Sequence, residues 1–396
     1  MKNIIITPTF IDHFPFIISY LESFSKYASG EHYIISFIIS QDEKKKFSKI
    51  IKNFNFLPID VLYFEDILQE FNVDKTPKYL LEKYGKFSYQ TIKKFYAMLH
   101  YGKESRFLVL DSESMVVTET NIDTMFEKFF SAPFISYSTL KQRLKTAPLI
   151  TRVVDNNSYL GLDNGIWCLE NFIWYYDYKI LHDLFNDYGT PFEIIDKIHK
   201  HHSEKIPYGG VFEIELYQNY IYKHHKKYGY KIINIDKELE KCIPLCILND
   251  YKNNFYNQVN GNCGLLERCI DFVNMDNVKY FANFFKKFNF NIIRCDHTTI
   301  SNYFIQQRFF NIVKPNIMAA SQEHAFGINN SYFNLLLCCK FPAKIKKHIN
   351  RIKRNKIFSL KNTIEIVSIL IYGVRSIFEI FGYNRKIKKI LNNRKF

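Results

Sequence analysis

The chain has 396 residues, enough to bury a large core and, at about 150 residues per domain, to form two or three units. A hydrophobic share of 47% and an aromatic share of 17% exclude a disordered chain. The net charge of +15 is concentrated at one end: residues 340–396 hold 16 of the 54 Lys and Arg and only two of the 39 acids, Glu365 and Glu379, so the body is near neutral and excludes itself as a nucleic-acid grip.

The first apolar run, in NIIITPTF (3–10), predicts a strand, and residues 14–28 a helix. YIISFIIS (33–40) predicts a second strand ending at QDE, followed by a helical stretch with Lys44, Lys45 and Lys46. A third strand is expected in IDVLYFE (59–65), a helix over 88–101 and a fourth strand in RFLVLD (106–111). Continuous apolar strands separated by helices mark an α/β protein with a parallel sheet covered on both faces. Beyond PFISYS (133–138) the pattern gives helical stretches near His199, a strand at 230–236, and one at 290–296 within otherwise helical, aromatic-rich text.

The three apolar residues before Thr7 are too few for a secretory signal, so a cytoplasmic location is expected. The eight cysteines have no C-x-x-C spacing and read as mostly buried thiols in a reducing compartment. No G-x-x-x-x-G-K and no G-x-G-x-x-G follows any predicted strand, which argues against a P-loop nucleotidase and a dinucleotide-binding dehydrogenase.

RFLVLDSESMVV (106–117) interrupts an apolar run with Asp111, Ser112, Glu113 and Ser114. Read as extended chain, Asp111 and Glu113 share a face, because side chains two apart point the same way. Two carboxylates at a strand's exposed end suit a hard divalent cation, Mn²⁺ or Mg²⁺, that shares its oxygen shell with a diphosphate.

This segment resembles the Asp-x-Asp segment of GT-A glycosyltransferases. LDNGIWCLEN (162–171) is similar to the Asn-Gly segment of many such enzymes, and YGGVFEIELYQNYI (208–221) to the glycine-then-acid segment at their acceptor site. Within that group the chain looks most like bacterial enzymes of cell-surface polysaccharide synthesis: capsule, O-antigen or lipooligosaccharide. The resemblance implies a GT-A (Rossmann-like), mostly parallel sheet with helices on both faces over residues 1–240. Residues 241–340 would be a mainly helical accessory region completing the catalytic unit, and 341–396 a helical extension. Glu113 departs from the commoner aspartate.

The resemblance further implies transfer of a hexose from a nucleoside-diphosphate donor to a hydroxyl of a glycan or glycolipid acceptor. Asp111 and Glu113 would hold the metal, with His324 as a late ligand for which His297 competes. Ser112, Gln90, Lys93, Lys94 and Asn164 belong to the expected donor site, and one of the two lysines is expected to point to solvent. Glu213 and Glu215 are the candidate general bases, with Gly209 and Gly210 leaving room for the sugar.

The tail joins eight Lys and Arg between 344 and 361 to an amphipathic pattern over 364–381, with Arg375 in its middle. It reads as a segment lying on an anionic membrane, which would place the protein on the inner face of the cytoplasmic membrane. The competing readings are a nucleic-acid-binding protein that uses this tail, and a nucleotidyltransferase with the same metal logic.

Overall fold

Ile4, Ile5 and Ile6 of the first strand have no exposed surface, which three consecutive residues of a strand achieve only when both faces of the sheet are covered. The computed structural model describes residues 1–139, 157–162, 164–168, 174–201, 211–250, 276–288, 291–294, 308–309 and 311–319.

The first half contains β1 (Lys2–Pro8), α1 (Phe14–Tyr27), β2 (Ala28–Ser29), β3 (Tyr33–Ile39), α2 (Lys44–Ile51), β4 (Ile59–Tyr63), α3 (Phe64–Glu70), α4 (Pro77–Tyr101), β5 (Ser105–Val109), β6 (Met115–Val116), β7 (Thr120–Asn121) and α5 (Ile122–Ser131). There follow β8 (Phe134–Thr139), β9 (Ile166–Trp167), β10 (Tyr175–Asp177), α6 (Tyr178–Tyr188), α7 (Pro191–His201) and α8 (Glu213–Tyr228). Last come β11 (Lys231–Asn234), α9 (Ile235–Cys242), α10 (Leu245–Asp250), α11 (Val278–Lys287), β12 (Ile292–Arg294) and β13 (Ile317–Ala319).

The central sheet has the order β10-β5-β1-β3-β4. β5, β1, β3 and β4 are parallel, and β10 is an antiparallel edge strand, so the expected mostly parallel α/β sheet is present. From β1 the chain builds outward to β3 and β4, then returns to add β5 on β1's other side. The strand order therefore reverses between β1 and β5, and open α/β sheets bind ligands in the crevice beyond the carboxyl ends at that point.

Local signals explain the element ends. Thr76 caps α4 by accepting from Tyr79 N at 3.2 Å, Pro77 starts it, and Gly85 interrupts it with φ 76°, a left-handed value that side chains with a Cβ resist. β4 stops at Tyr63, short of the expected 65, because Glu65 and Asp66 open α3, where a helix N-terminus favours acids. Three smaller sheets surround the core, of which β12-β13-β6 returns to the segment just after the acidic motif. Among the described cysteines Cys168 is buried, Cys242 half-buried and Cys246 exposed, and none is paired.

Candidate functional site

The backbone of β5 hands Asp111 to the crevice. Leu110 N donates to Ile6 O at 2.9 Å, which keeps β5 in register with β1 to its last residue. Ser114 N then donates to Asp111 O at 2.9 Å and closes a four-residue turn with Ser112 and Glu113 at its centre. This corrects the expectation of an extended segment: Asp111 opens a turn and Glu113 stands within it, so strand alternation does not set their relation. Both are half-buried at the rim, whereas Ser112 and Ser114 are buried.

Ser112 Oγ lies 2.8 Å from His13 Nδ1, which joins the motif turn to the loop after β1. His13 itself packs against the rings of Phe10 and Phe16. That loop is fixed from two further directions. The Glu43 carboxylate accepts from Ile11 N at 2.7 Å and Ser40 N at 3.2 Å, and Lys93 Nζ donates to Thr9 O at 3.0 Å.

Lys93 and Lys94 of α4 are both buried, contrary to the expectation that one of these two faces solvent. The reason is that each has partners on a different side of the helix. Burial pushes Lys93 down to about 8, against the pull of the carboxylates of Glu43 and Glu65. Lys94 forms an ion pair with Glu213 Oε1, and Thr91 Oγ1 donates to Glu213 Oε2 at 3.0 Å. Gln90, one turn earlier on α4, is half-buried.

Glu215, the other general-base candidate, is buried, and its two oxygens accept from Cys168 N and from Asn219 Nδ2 at 2.9 Å, which links Cys168, next after β9, to α8. Asn164 belongs to the same link: its amide nitrogen reaches Leu162 O at 3.0 Å and Asn219 Oδ1 at 3.2 Å. Gly209, Gly210, Asp163, His297, His324 and the tail 341–396 lie outside the described residues.

Tyr176 of β10, which the sequence pattern left unassigned, is buried beside the site. Burial raises its hydroxyl well above the usual phenol range, and the negative charges of Glu213 and Asp111 add to the rise. Both carboxylates therefore act on one phenol, which draws the motif turn and the start of α8 into a single locus. The strand it sits on has only three residues, Tyr175–Asp177, too few to show alternation.

The chemistry of the donor set fits a hard divalent ion in part. Asp111 and Glu113 supply two carboxylates from one turn, and Ser114 Oγ is buried without a hydrogen-bond partner among the described residues. No group of three or more His, Cys, Asp or Glu is arranged for a metal among the described residues. An ion held here would complete its shell with oxygens of a bound diphosphate and water.

No protein-family model matches the chain, and no curated protein matches it. Among solved structures, mouse xyloside xylosyltransferase 1 is similar at 12% identity and a TM-score of 0.35, covering 67% of this chain and 95% of that one. TarS of S. aureus matches at 13% identity and a TM-score of 0.29 over 73% of this chain, and the glycosyltransferase GlyE of Streptococcus pneumoniae TIGR4 at 13% and 0.29 over 67%. The chain spans 49% of TarS and 52% of GlyE. Likeness at TM-scores this low carries no conclusion about this chain.

Proposed function

We propose that the chain is a glycosyltransferase that moves a sugar from a nucleoside-diphosphate donor to a hydroxyl of a glycan or glycolipid acceptor. The observation that carries this reading is the acid-bearing turn Asp111–Ser114 at the carboxyl end of β5, beside β1, where the strand order reverses. A crevice lined by carboxylates repels a diphosphate unless a cation lies between them. Asp111 and Glu113 would hold Mn²⁺ or Mg²⁺ there, and the bound ion supplies the positive charge that a glycine-rich phosphate loop supplies elsewhere.

The residues of the chain have separate tasks in this scheme. Lys93 holds the loop after β1 through Thr9 O, so it shapes the crevice and its ammonium is turned away from a ligand. Glu213 remains a base candidate. Lys94 and Thr91 each bond one of its oxygens, which orients the carboxylate and leaves it further lone pairs for an acceptor hydroxyl.

The decisive test is Asp111→Ala and Glu113→Ala, assayed for hydrolysis and transfer across a panel of nucleotide sugars with and without Mn²⁺. Loss of at least about a hundredfold in rate with an unchanged melting temperature is expected, since each variant removes a ligand of the charge-neutralising ion. Full activity in either variant, or in excess chelator, removes the metal from the scheme.

The basic segment 341–396 is proposed to bring the enzyme to a lipid-linked acceptor at an anionic membrane. No helix among the described residues is long and apolar enough to cross a membrane. Deleting 341–396 should weaken retention on vesicles while sparing activity on a soluble acceptor, and undiminished retention would count against that role for the tail.

A further inference from the structure

The back of α2 carries a cluster of cations that the site does not use. Phe47 is buried against Phe14 and Phe37, and Ile50 and Ile51 are half-buried beside it, so these three residues define the inner face of the helix. At about 100° per residue, Lys45, Lys49 and Lys52 fall in one narrow stripe opposite Phe47, with Lys46 on one flank and Lys44 on the side of Ile51. All five are exposed, and none forms an ion pair with another described residue. Lys44 instead sits 4.9 Å from the centre of the Tyr63 ring.

Just past this stripe the chain turns out an aromatic ring. Phe56 is 64% exposed, although Phe54, two residues earlier, is almost fully buried. A helix face that gathers Lys45, Lys46, Lys49 and Lys52 without an ion-pair partner among the described residues repels itself, and the exposed Phe56 ring, four positions beyond Lys52 in the chain, adds to the cost. An anionic bilayer relieves both: its headgroups neutralise the lysines, and its interface accepts the ring.

We propose that the outer face of α2, with Phe56, is a docking surface for an anionic phospholipid bilayer. Lys45, Lys49 and Lys52 meet the headgroups and Phe56 enters the interface. The surface belongs to the body of the protein and is separate from the basic tail. It does not rest on the glycosyl-transfer reading, because charge and exposure alone define it.

The test uses the full chain with Phe56→Trp, since the two native tryptophans, Trp167 and Trp174, are buried at 1% and 7% exposure and give a quiet background. With phosphatidylserine-containing vesicles, the emission of the variant, less that of the parent, should shift to the blue and be quenched by brominated lipid. Vesicles of phosphatidylcholine alone should leave it unchanged. Adding Lys45→Glu, Lys49→Glu and Lys52→Glu should abolish the shift and lower vesicle partition by at least about tenfold.

All four side chains are exposed, so the melting temperature should hold in both variants, and nucleotide-sugar hydrolysis in solution should match that of the parent. An unshifted emission from protein that nevertheless sediments with phosphatidylserine vesicles would overturn the proposal, because the body would then be bound by another part. A shift with duplex DNA and none with vesicles would overturn it in favour of a nucleic-acid partner. Either outcome leaves the assay of Asp111→Ala untouched, so the two readings fail separately.

Discussion

The two walls of the crevice are built in different ways. On the side of β1, β3 and β4, each loop is bound to the next through backbone groups: Glu43 takes Ile11 N, Glu65 takes Gln41 N at 3.0 Å, and Lys93 takes Thr9 O. On the side of β5, the motif turn is joined to the β1 loop through the His13–Ser112 hydrogen bond, and its carboxylates stay half-buried at the rim. The first wall has spent its polar groups on holding its own shape, as a pre-organised site requires. The second places its acids at the rim, half-buried.

The contrast is broken most severely at α4, which supports both walls. Lys94→Ala leaves the Glu213 carboxylate charged, desolvated and without its cation, a loss expected to cost about 3–5 kcal/mol in urea unfolding. Replacing both partners, Lys94→Met with Glu213→Leu, should cost much less, because no orphaned charge remains. Equal losses in the single and double variants would mean that packing, and not the ion pair, holds α8 to α4.

Lys93 gives a smaller effect with a distinctive sign. Its folded value of about 8 lies below its ordinary value, so between about pH 8 and pH 10 the unfolded chain binds more protons than the native one. Stability associated with this group therefore rises with pH across that window, as the strained ammonium is relieved. Wild type should gain in melting temperature from pH 7.5 to 9.5 relative to Lys93→Met. A parallel response in the two proteins would show that burial does not lower Lys93, which would then stay protonated across the window as it does in the unfolded chain.

The smallest change in stability is expected at the junction of the walls. His13→Ala should cost about 1 kcal/mol or less, the scale of one hydrogen bond, while raising the KM for a nucleotide sugar more than it lowers kcat. A stability loss several times larger would make His13 a core residue of the β1 loop and remove the difference between the walls.

The fold was largely legible in the sequence because buried parallel strands advertise themselves as unbroken apolar runs. Residues 33–40 were read as a strand and 33–39 form β3; residues 14–28 were read as a helix and 14–27 form α1. The helix read over 88–101 is the second part of α4, which a kink at Gly85, at φ 76° and ψ 169°, divides from the part that starts at Pro77. The motif turn was found by composition, since acids and serines cannot continue an apolar strand.

The fates of the lysines and of Glu215 were not legible. The carboxylate that neutralises Lys94 stands 119 positions away, and the amide that Glu215 accepts from lies 47 positions before it. No local pattern reports a partner at such a separation.

The strand that leaves the motif turn finds its partners very late in the chain. Val116 pairs with Ile317, Val117 N donates to Asn316 O, and the Thr118 hydroxyl donates to Pro315 O at a separation of 197 residues. During synthesis the acidic turn can emerge and β5 can join β1, yet the segment immediately behind it waits until nearly 200 further residues have left the ribosome. A non-local pairing of this kind is slow to form and exposes an unpaired edge in the meantime. A nascent chain stopped before residue 315 would hold its acidic turn through β5, His13 and Ser23, while β6 still lacked its strand partner.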